Sequence, residues 1–205
     1  AVPLALGGDG NITLPLLRAA SKAHSDLVVV HIDAHTDTYR GDGNQDYMRF
    51  NVATTFTRAA EEALIDVESS IHVGARGPTN DSGVFNHTRD VGYGLIDGTE
   101  LFNAGLRNTA KNIVESLKGR SVYLCFDMDF FDPSCAPGVC TPTWGGATSR
   151  EGLDFLQNLT GLNLVGADIN TVSPPHDISG MTAFLAATVG LEILSVICHS
   201  KGLVE

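Results

Sequence analysis

The sequence has little positive charge and no internal repeat. Its 205 residues contain 13 Lys and Arg against 24 Asp and Glu, which gives a formal charge of −11. An electrostatic field of that sign repels nucleic acids and acidic membrane surfaces, so we expect neither as a partner. The same charge favours a small cationic ligand.

Cysteines are few, and their spacing predicts neither a zinc site nor a disulfide scaffold. We therefore expect free thiols at all four positions, Cys125, Cys135, Cys140 and Cys198. Free thiols favour a cytoplasmic compartment slightly. N-x-S/T triplets, including those that begin at Asn11, Asn86 and Asn158, leave secretion open, and the compartment stays unassigned.

Long hydrophobic runs are almost absent. The stretch from Met181 to Cys198 is the one candidate for a membrane span, but Gly190, Glu192 and several Thr and Ser residues interrupt it. We predict a buried amphipathic helix there. Low-complexity tracts and linkers are missing, so residues 1–205 are expected to form one domain.

Short β-branched runs alternate with helical patterns, which is typical of parallel βαβ units. Continuous apolar strands predict a sheet that is covered on both faces, hence a three-layer α/β/α fold with a mainly parallel sheet. The polar, Gly-rich region Gly77–Gly92 is expected to be a long surface loop. The predicted strands are Leu27–Asp33, Ser70–Arg76, Ser121–Asp129 and Leu162–Asn170; the predicted helices are Leu14–Lys22, Thr54–Ile65, Glu100–Lys118 and Arg150–Leu159.

Acidic residues cluster where two of these strands end. In HIDAHTD, Asp33, His35 and Asp37 alternate, and in FDMD, Asp127 and Asp129 do the same. Period-two spacing places alternate side chains on one side of an extended chain, and the carboxyl ends of parallel strands meet at one edge of the sheet.

A cation is the simplest reason for carboxylates to converge in this way. A single D-x-D segment after a strand is often only a helix cap or a solvated loop. Two such segments facing each other would repel strongly without a bound cation. Several oxygen ligands with one imidazole suit Mn²⁺, with Mg²⁺, Fe²⁺ and Zn²⁺ as alternatives.

The segments GGDG, DAHTD, FDMDFFDP followed by PGVCTP, and DINTVSPPHD occur in that order along the chain. Together they resemble the signatures of the arginase and agmatinase (ureohydrolase) family, closest to its agmatinase or guanidinobutyrase branch. The resemblance implies the arginase-like α/β/α fold, here without its N-terminal part. It also implies trimers or hexamers and a small guanidino substrate.

The resemblance assigns ligands for two manganese ions. It makes Asp33 and Asp127 the bridging ligands, adds His35 and Asp129 at one metal position (the B site), and gives Asp37 to the other (the A site). It further implies that water activated between the two ions attacks the guanidinium carbon, which releases urea and an amine.

Three positions depart from the family pattern. Gly10 stands where the family has an A-site histidine, Val52 where it has an active-site histidine, and Thr171 where a glutamate grips the guanidinium. The A site then keeps only carboxylates, so one manganese position, formed by Asp33, His35, Asp127 and Asp129, is expected rather than two.

Three hypotheses follow. The chain is a manganese-dependent amidinohydrolase with impaired turnover, a non-catalytic paralogue that acts as a binding or regulatory subunit, or a one-metal hydrolase. A substitute imidazole could come from His31, His72 or His176, although a histidine in an apolar strand is usually a satisfied core residue. We expect Arg76 to form an ion pair with one of the acids and Trp144 to be a pocket wall or an interface anchor.

Overall fold

A computed structural model describes residues 1–41 and 46–204, without the side chains of residues 46 and 47. Within that part, parallel strands form a single sheet in the order β1-β6-β5-β2-β3-β4. The predicted parallel sheet is therefore confirmed. The strands are β1 Leu4–Leu6, β2 Leu27–Ile32, β3 Ile71–Val73, β4 Gly94–Ile96, β5 Ser121–Asp127 and β6 Leu164–Asn170.

Helices cover both faces of the sheet, as the apolar strands predicted. Alternate residues of β2 and β5 belong to two separate apolar clusters. Val28 and Leu124 lie in the larger cluster, and Val29 and Tyr123 lie in the smaller one. The helices are α1 Thr13–Ala20, α2 Asp46–Arg49, α3 Thr55–Glu61, α4 Val84–Val91, α5 Gly98–Ala104, α6 Leu106–Ser116, α7 Ser149–Gln157 and α8 Met181–Ser200.

Two predictions about helices are wrong. The region Gly77–Gly92 is not all loop, because it contains α4, whose C-terminus is capped by Gly92 at a φ of 113°. The predicted helix Glu100–Lys118 is two helices, because Gly105 has a φ of 83° and ends α5. Glycine reaches such angles without the steric penalty that other residues meet, and it commonly ends helices there.

Helix α8 confirms the predicted helix but not its amphipathic character. Its inner face packs on the sheet through buried residues such as Val189 and Ile193. The outer face is also apolar, with Phe184 at 78% and Leu191 at 66% exposure. By length and composition alone α8 could cross a membrane, a property that core helices share.

A buried carboxylate joins β6 to its neighbours. Asp168 is fully buried and accepts hydrogen bonds from Thr13 Oγ1 at 3.1 Å, Tyr123 OH at 2.7 Å and Asn170 Nδ2 at 2.8 Å. Burial raises its pKa, and these donors oppose that rise. Because Thr13 begins α1 and Tyr123 belongs to β5, Asp168 fixes the helix against the two strands.

We predict that Asp168→Ala destabilises the protein by about 3 kcal/mol or more, because it leaves three donors without their acceptor in a buried place. Tyr123→Phe is the matched control. It removes one donor and should lower the free energy of unfolding by about 1 to 2 kcal/mol. Chemical denaturation measures both values. Equal costs for the two variants would contradict the central role of Asp168.

Candidate metal centre

The two acidic clusters lie side by side because their strands are neighbours. Strands β2 and β5 pair in parallel, with Ile32 opposite Phe126, so Asp33 and Asp127 occupy adjacent strand ends. Their exposures are 2% for Asp33 and 5% for Asp127. The sheet topology therefore brings together the residues that the sequence placed at strand ends.

Asp33, His35 and Asp129 form the tightest group. One ligand atom from each lies within 4.8 Å of the other two. His35 Nδ1 is 3.2 Å from Asp33 Oδ1 and 3.0 Å from Asp129 Oδ2. These are three of the four residues expected at the B position.

Backbone and hydroxyl donors fix Asp129 in that group. Its Oδ1 accepts from the Ala34 amide at 3.0 Å, and its Oδ2 accepts from Thr141 Oγ1 at 2.8 Å. Thr143 Oγ1 lies 3.5 Å from His35 Nε2. The two threonines follow PGVC and belong to the cleft, although sequence analysis gave them no role.

Asp127, the fourth expected B-site residue, lies outside the groups of ligand atoms found among the described residues. Its Oδ1 accepts the Asp129 amide at 2.7 Å, which caps the short 3₁₀ turn Met128–Phe130. Its Oδ2 accepts a hydrogen bond from Thr171 Oγ1. Asp127 is therefore a helix cap, as a D-x-D segment after a strand often is, and it also lies beside the candidate metal centre.

Thr171 is held in a backbone conformation that is rare for its residue type. Its φ is 73°, an outlier for a β-branched side chain, and its amide donates to Gly8 O at 2.7 Å. Strained residues of this kind concentrate at functional sites. Here the strain lies at the position where the family pattern has a glutamate.

The other two departures from the family pattern lie beside Asp37. A Cβ atom added to Gly10 would be 3.5 Å from Asp37 Oδ2 and 3.9 Å from Val52 Cβ. Asp37 is half-buried and has a φ of 49°. Positions 10, 37 and 52 therefore lie next to one another, and Asp37 and Val52 line the cleft.

One of the candidate substitute imidazoles reaches this site. His31 Nε2 is 2.9 Å from Asp33 Oδ2, and ligand atoms of His31, Asp33 and Asp37 lie within 4.8 Å of one another. Burial lowers the pKa of His31 to about 3, so the ring is neutral. His72 contacts His31 from the next strand, whereas His176 is exposed and pairs with Ser173.

Burial and mutual repulsion govern the charges of the cluster. Burial raises the pKa of Asp33, Asp37 and Asp127 well above its usual value, and neighbouring carboxylates raise it further. Burial opposes the charge of Asp129 as well, but His35 outweighs it and lowers the Asp129 pKa to about 2. Burial also opposes a charge on His35, yet hydrogen bonds to Asp129 and Asp33 raise its pKa to about 11.

Arg76 connects two loops around the cleft by hydrogen bonds to backbone carbonyl oxygens and does not form the expected ion pair among the described residues. Its Nη2 donates to Asp129 O and Thr143 O, both at 2.8 Å. Burial lowers its pKa, and nearby acids including Asp129 oppose that shift. The planar guanidinium reaches both loops at once, which a lysine could not do.

A cleft of about 910 Å³ opens over the cluster. Its size suits a small molecule. Trp144 stands at the rim with 74% exposure, which makes it a wall of the cleft in this chain. The lining includes His35, Asp37, Tyr39, Val52 and Thr143.

The residues present fit a hard divalent cation. The donors are carboxylate oxygens with one imidazole at the Asp33 group, a set that suits Mn²⁺ or Mg²⁺ better than a soft metal. Several of the carboxylates are buried and raise one another's pKa. A cation would relieve that repulsion.

Comparison with known proteins identifies the lineage. The model of the arginase family matches residues 1–195. The chain belongs to the arginase family. The family resemblance of its motifs is thereby confirmed, and so is the arginase-like fold.

Several family members resemble this chain over most of its length. A guanidinobutyrase of Pseudomonas aeruginosa is 38% identical over 199 residues, which cover 96% of this chain and 60% of the relative. An agmatinase of Photorhabdus laumondii is 40% identical over 198 residues, covering 97% and 60%. The solved proclavaminate amidino hydrolase of Streptomyces clavuligerus superposes with a TM-score of 0.88 at 37% identity, covering 96% of this chain and 64% of that one. The chain thus spans about 60% of the length of the curated relatives it matches.

We predict that the metal-free protein loses stability as the pH rises from about 6.5 to about 9. The raised pKa of His35, about 11, means that the folded state keeps a proton which the unfolded state releases above its ordinary pKa of 6.5. That contribution is complete below pH 6.5 and is lost as the pH approaches 11. The loss is at most about 1.4 kcal/mol per pH unit for each proton. Denaturation at several pH values measures it.

His35→Gln is the matched control, since it removes this proton and should flatten the pH dependence. Added Mn²⁺ should reverse the trend in the unmodified protein, because metal binding displaces the proton and tightens with pH. A stability profile that is identical in the two proteins would show that His35 is not protonated in the folded state.

Proposed function

We propose that this chain binds Mn²⁺ through Asp33, His35 and Asp129 and hydrolyses a small cationic guanidino compound slowly, releasing urea and an amine. The substrate class comes from relatives that are named agmatinase and guanidinobutyrase. The reduced turnover comes from Gly10, Val52 and Thr171.

The observation that carries this proposal is the position of those three residues in the described fold. Gly10 and Val52 adjoin Asp37, and Thr171 donates to Asp127. All three altered positions therefore adjoin carboxylates of the site, and Val52 also lines the cleft. Substitutions there act directly on the groups that would bind metal and substrate.

The remaining side chains can still bind and orient. A bound divalent cation supplies a water of lowered pKa and an electrophilic centre. Asp33 and Asp129 hold their oxygens toward His35. The Ala34 amide and Thr141 Oγ1 donate to Asp129, and the His35 amide donates to Asp33. Asp37 lines the cleft beside this group.

The missing groups limit turnover in separate ways. The Val52 side chain can neither donate nor accept a proton. A positioned general acid or base typically increases the reaction rate by roughly 10² to 10⁴. The Thr171 hydroxyl donates a hydrogen bond to Asp127, and threonine has no carboxylate that could bind a guanidinium. Removing the residue that pairs with a buried cation weakens the binding free energy by about 2 to 5 kcal/mol.

A non-catalytic role is the second candidate, with this chain as a binding or regulatory subunit. It is favoured by the hydrogen bond that Thr171 donates to Asp127, which occupies an oxygen of a residue assigned as a bridging ligand by the family motifs. A one-metal hydrolase is the third candidate, and the compact Asp33, His35 and Asp129 group favours it.

We predict that the triple variant Gly10→His, Val52→His and Thr171→Glu releases urea at least about 100 times faster than the unmodified chain, because it restores general acid-base help. A colorimetric urea assay with agmatine and 4-guanidinobutyrate, in the presence of Mn²⁺, measures the rates.

Asp129→Asn in the triple background is the control, and it should abolish the gain. Measurable urea release by the unmodified chain supports the slow enzyme. No release before restoration and recovery afterwards supports the non-catalytic role. A folded triple variant that stays inactive would contradict the assignment of the loss to these three positions.

A further inference from the structure

Asp37 lacks the histidine partner that the family places at position 10, but an imidazole approaches from another direction. Ligand atoms of His31, Asp33 and Asp37 form a second group, all within 4.8 Å of one another. We propose that His31 binds a second divalent cation through Nε2, together with Asp33 and Asp37. This inference rests on the proposed metal site and adds a position to it.

The spacing of the donor atoms suits a shared cation. Bonds of roughly 2.0 to 2.2 Å, as in Zn²⁺ and Mg²⁺ sites, place neighbouring ligands in an octahedral shell roughly 3 Å apart. His31 Nε2 and Asp33 Oδ2 are 2.9 Å apart. The two atoms can therefore bind one ion side by side.

The His31 ring is held in the required orientation. Strands β2 and β3 pair His31 with His72, and their Nδ1 atoms are 2.8 Å apart. The Phe56 ring lies against the other side, with 4.3 Å between the ring centroids. Metal-binding histidines are commonly fixed by a hydrogen bond at the other ring nitrogen, which is the role left for His72.

The empty space at position 10 makes this substitution of ligands possible. A side chain on Gly10 would start 3.5 Å from Asp37 Oδ2. With glycine there, Asp37 has no imidazole from that side, and His31 is the histidine of the described residues whose ligand atom groups with Asp37. The second position would then draw its nitrogen from β2 rather than from the loop after β1.

The same His31 contact has one rival explanation, in which Nε2 carries a proton and donates it to Asp33. The two explanations differ in the bond that a metal makes. A ligand gives a nitrogen bonded directly to the ion, whereas a hydrogen-bond donor does not. Spectroscopy of bound Mn²⁺ therefore separates them without reference to turnover.

The experiment uses the full chain loaded with Mn²⁺ alone. His35→Asn removes the imidazole of the first position, so any nitrogen bonded to the ion must come from elsewhere. Pulsed electron paramagnetic resonance should still detect a directly bonded imidazole nitrogen in this variant. The signal should disappear in His35→Asn with His31→Gln.

Calorimetric titration gives an independent count. The unmodified chain should bind two Mn²⁺ ions, and His31→Gln should weaken the second by more than the roughly 10- to 100-fold that loss of a supporting partner costs. Circular dichroism and the thermal midpoint verify folding. Asp37→Asn should weaken the same position while leaving His31 in place.

Two results would overturn the proposal. One is a single Mn²⁺ per chain with no nitrogen signal in His35→Asn. The other is a nitrogen signal that survives in the double variant His35→Asn with His31→Gln. Neither depends on urea release, so an inactive chain that binds two ions would contradict the proposed hydrolysis and leave the role of His31 standing.

Discussion

The site depends on one constraint: neighbouring parallel strands β2 and β5 both end in carboxylates, which must be accommodated with little water. Buried charges are stable only when they are paired, hydrogen-bonded or neutralised. The chain uses all three means. His35 lies between Asp33 and Asp129, Thr171 and the Asp129 amide donate to Asp127, and the raised pKa of Asp127 favours its neutral form. A bound cation would neutralise these carboxylates more completely than the present contacts do.

Much of the fold and part of this arrangement could be predicted from the sequence. The alternation of β-branched runs and helical patterns predicted the parallel sheet, and the acidic residues at the strand ends predicted an acidic edge. Period-two spacing predicted the positions of the acidic side chains less completely. At Asp127 and Asp129 the chain leaves the strand and enters a 3₁₀ turn that Asp127 itself caps. Asp129 reaches His35 by that turn, and the geometry of a strand alone would not have placed it there.

Other features depend on contacts between distant segments, which spacing cannot show. Arg76 was expected to face a carboxylate, yet it donates to carbonyl oxygens of two loops. The contact between Thr171 and Asp127 depends on a strained backbone that is anchored to Gly8. The family motifs, rather than residue patterns, pointed to positions 10, 37 and 52. Their proximity to one another becomes visible only in the folded chain.

The residues at positions 10 and 171 both suit a cluster that binds fewer cations than the family pattern implies. Four carboxylates at Asp33, Asp37, Asp127 and Asp129 carry as much negative charge as two divalent cations neutralise, and a glutamate at position 171 would add a fifth. Thr171 instead supplies a donor, which helps the cluster to tolerate fewer cations. We expect the absence of an imidazole at position 10 to weaken metal binding on the Asp37 side, where burial raises the pKa of Asp37 and favours its protonated form. A proton and a cation would then compete for Asp37, and the proposed second position would fill most readily at high pH and high metal concentration.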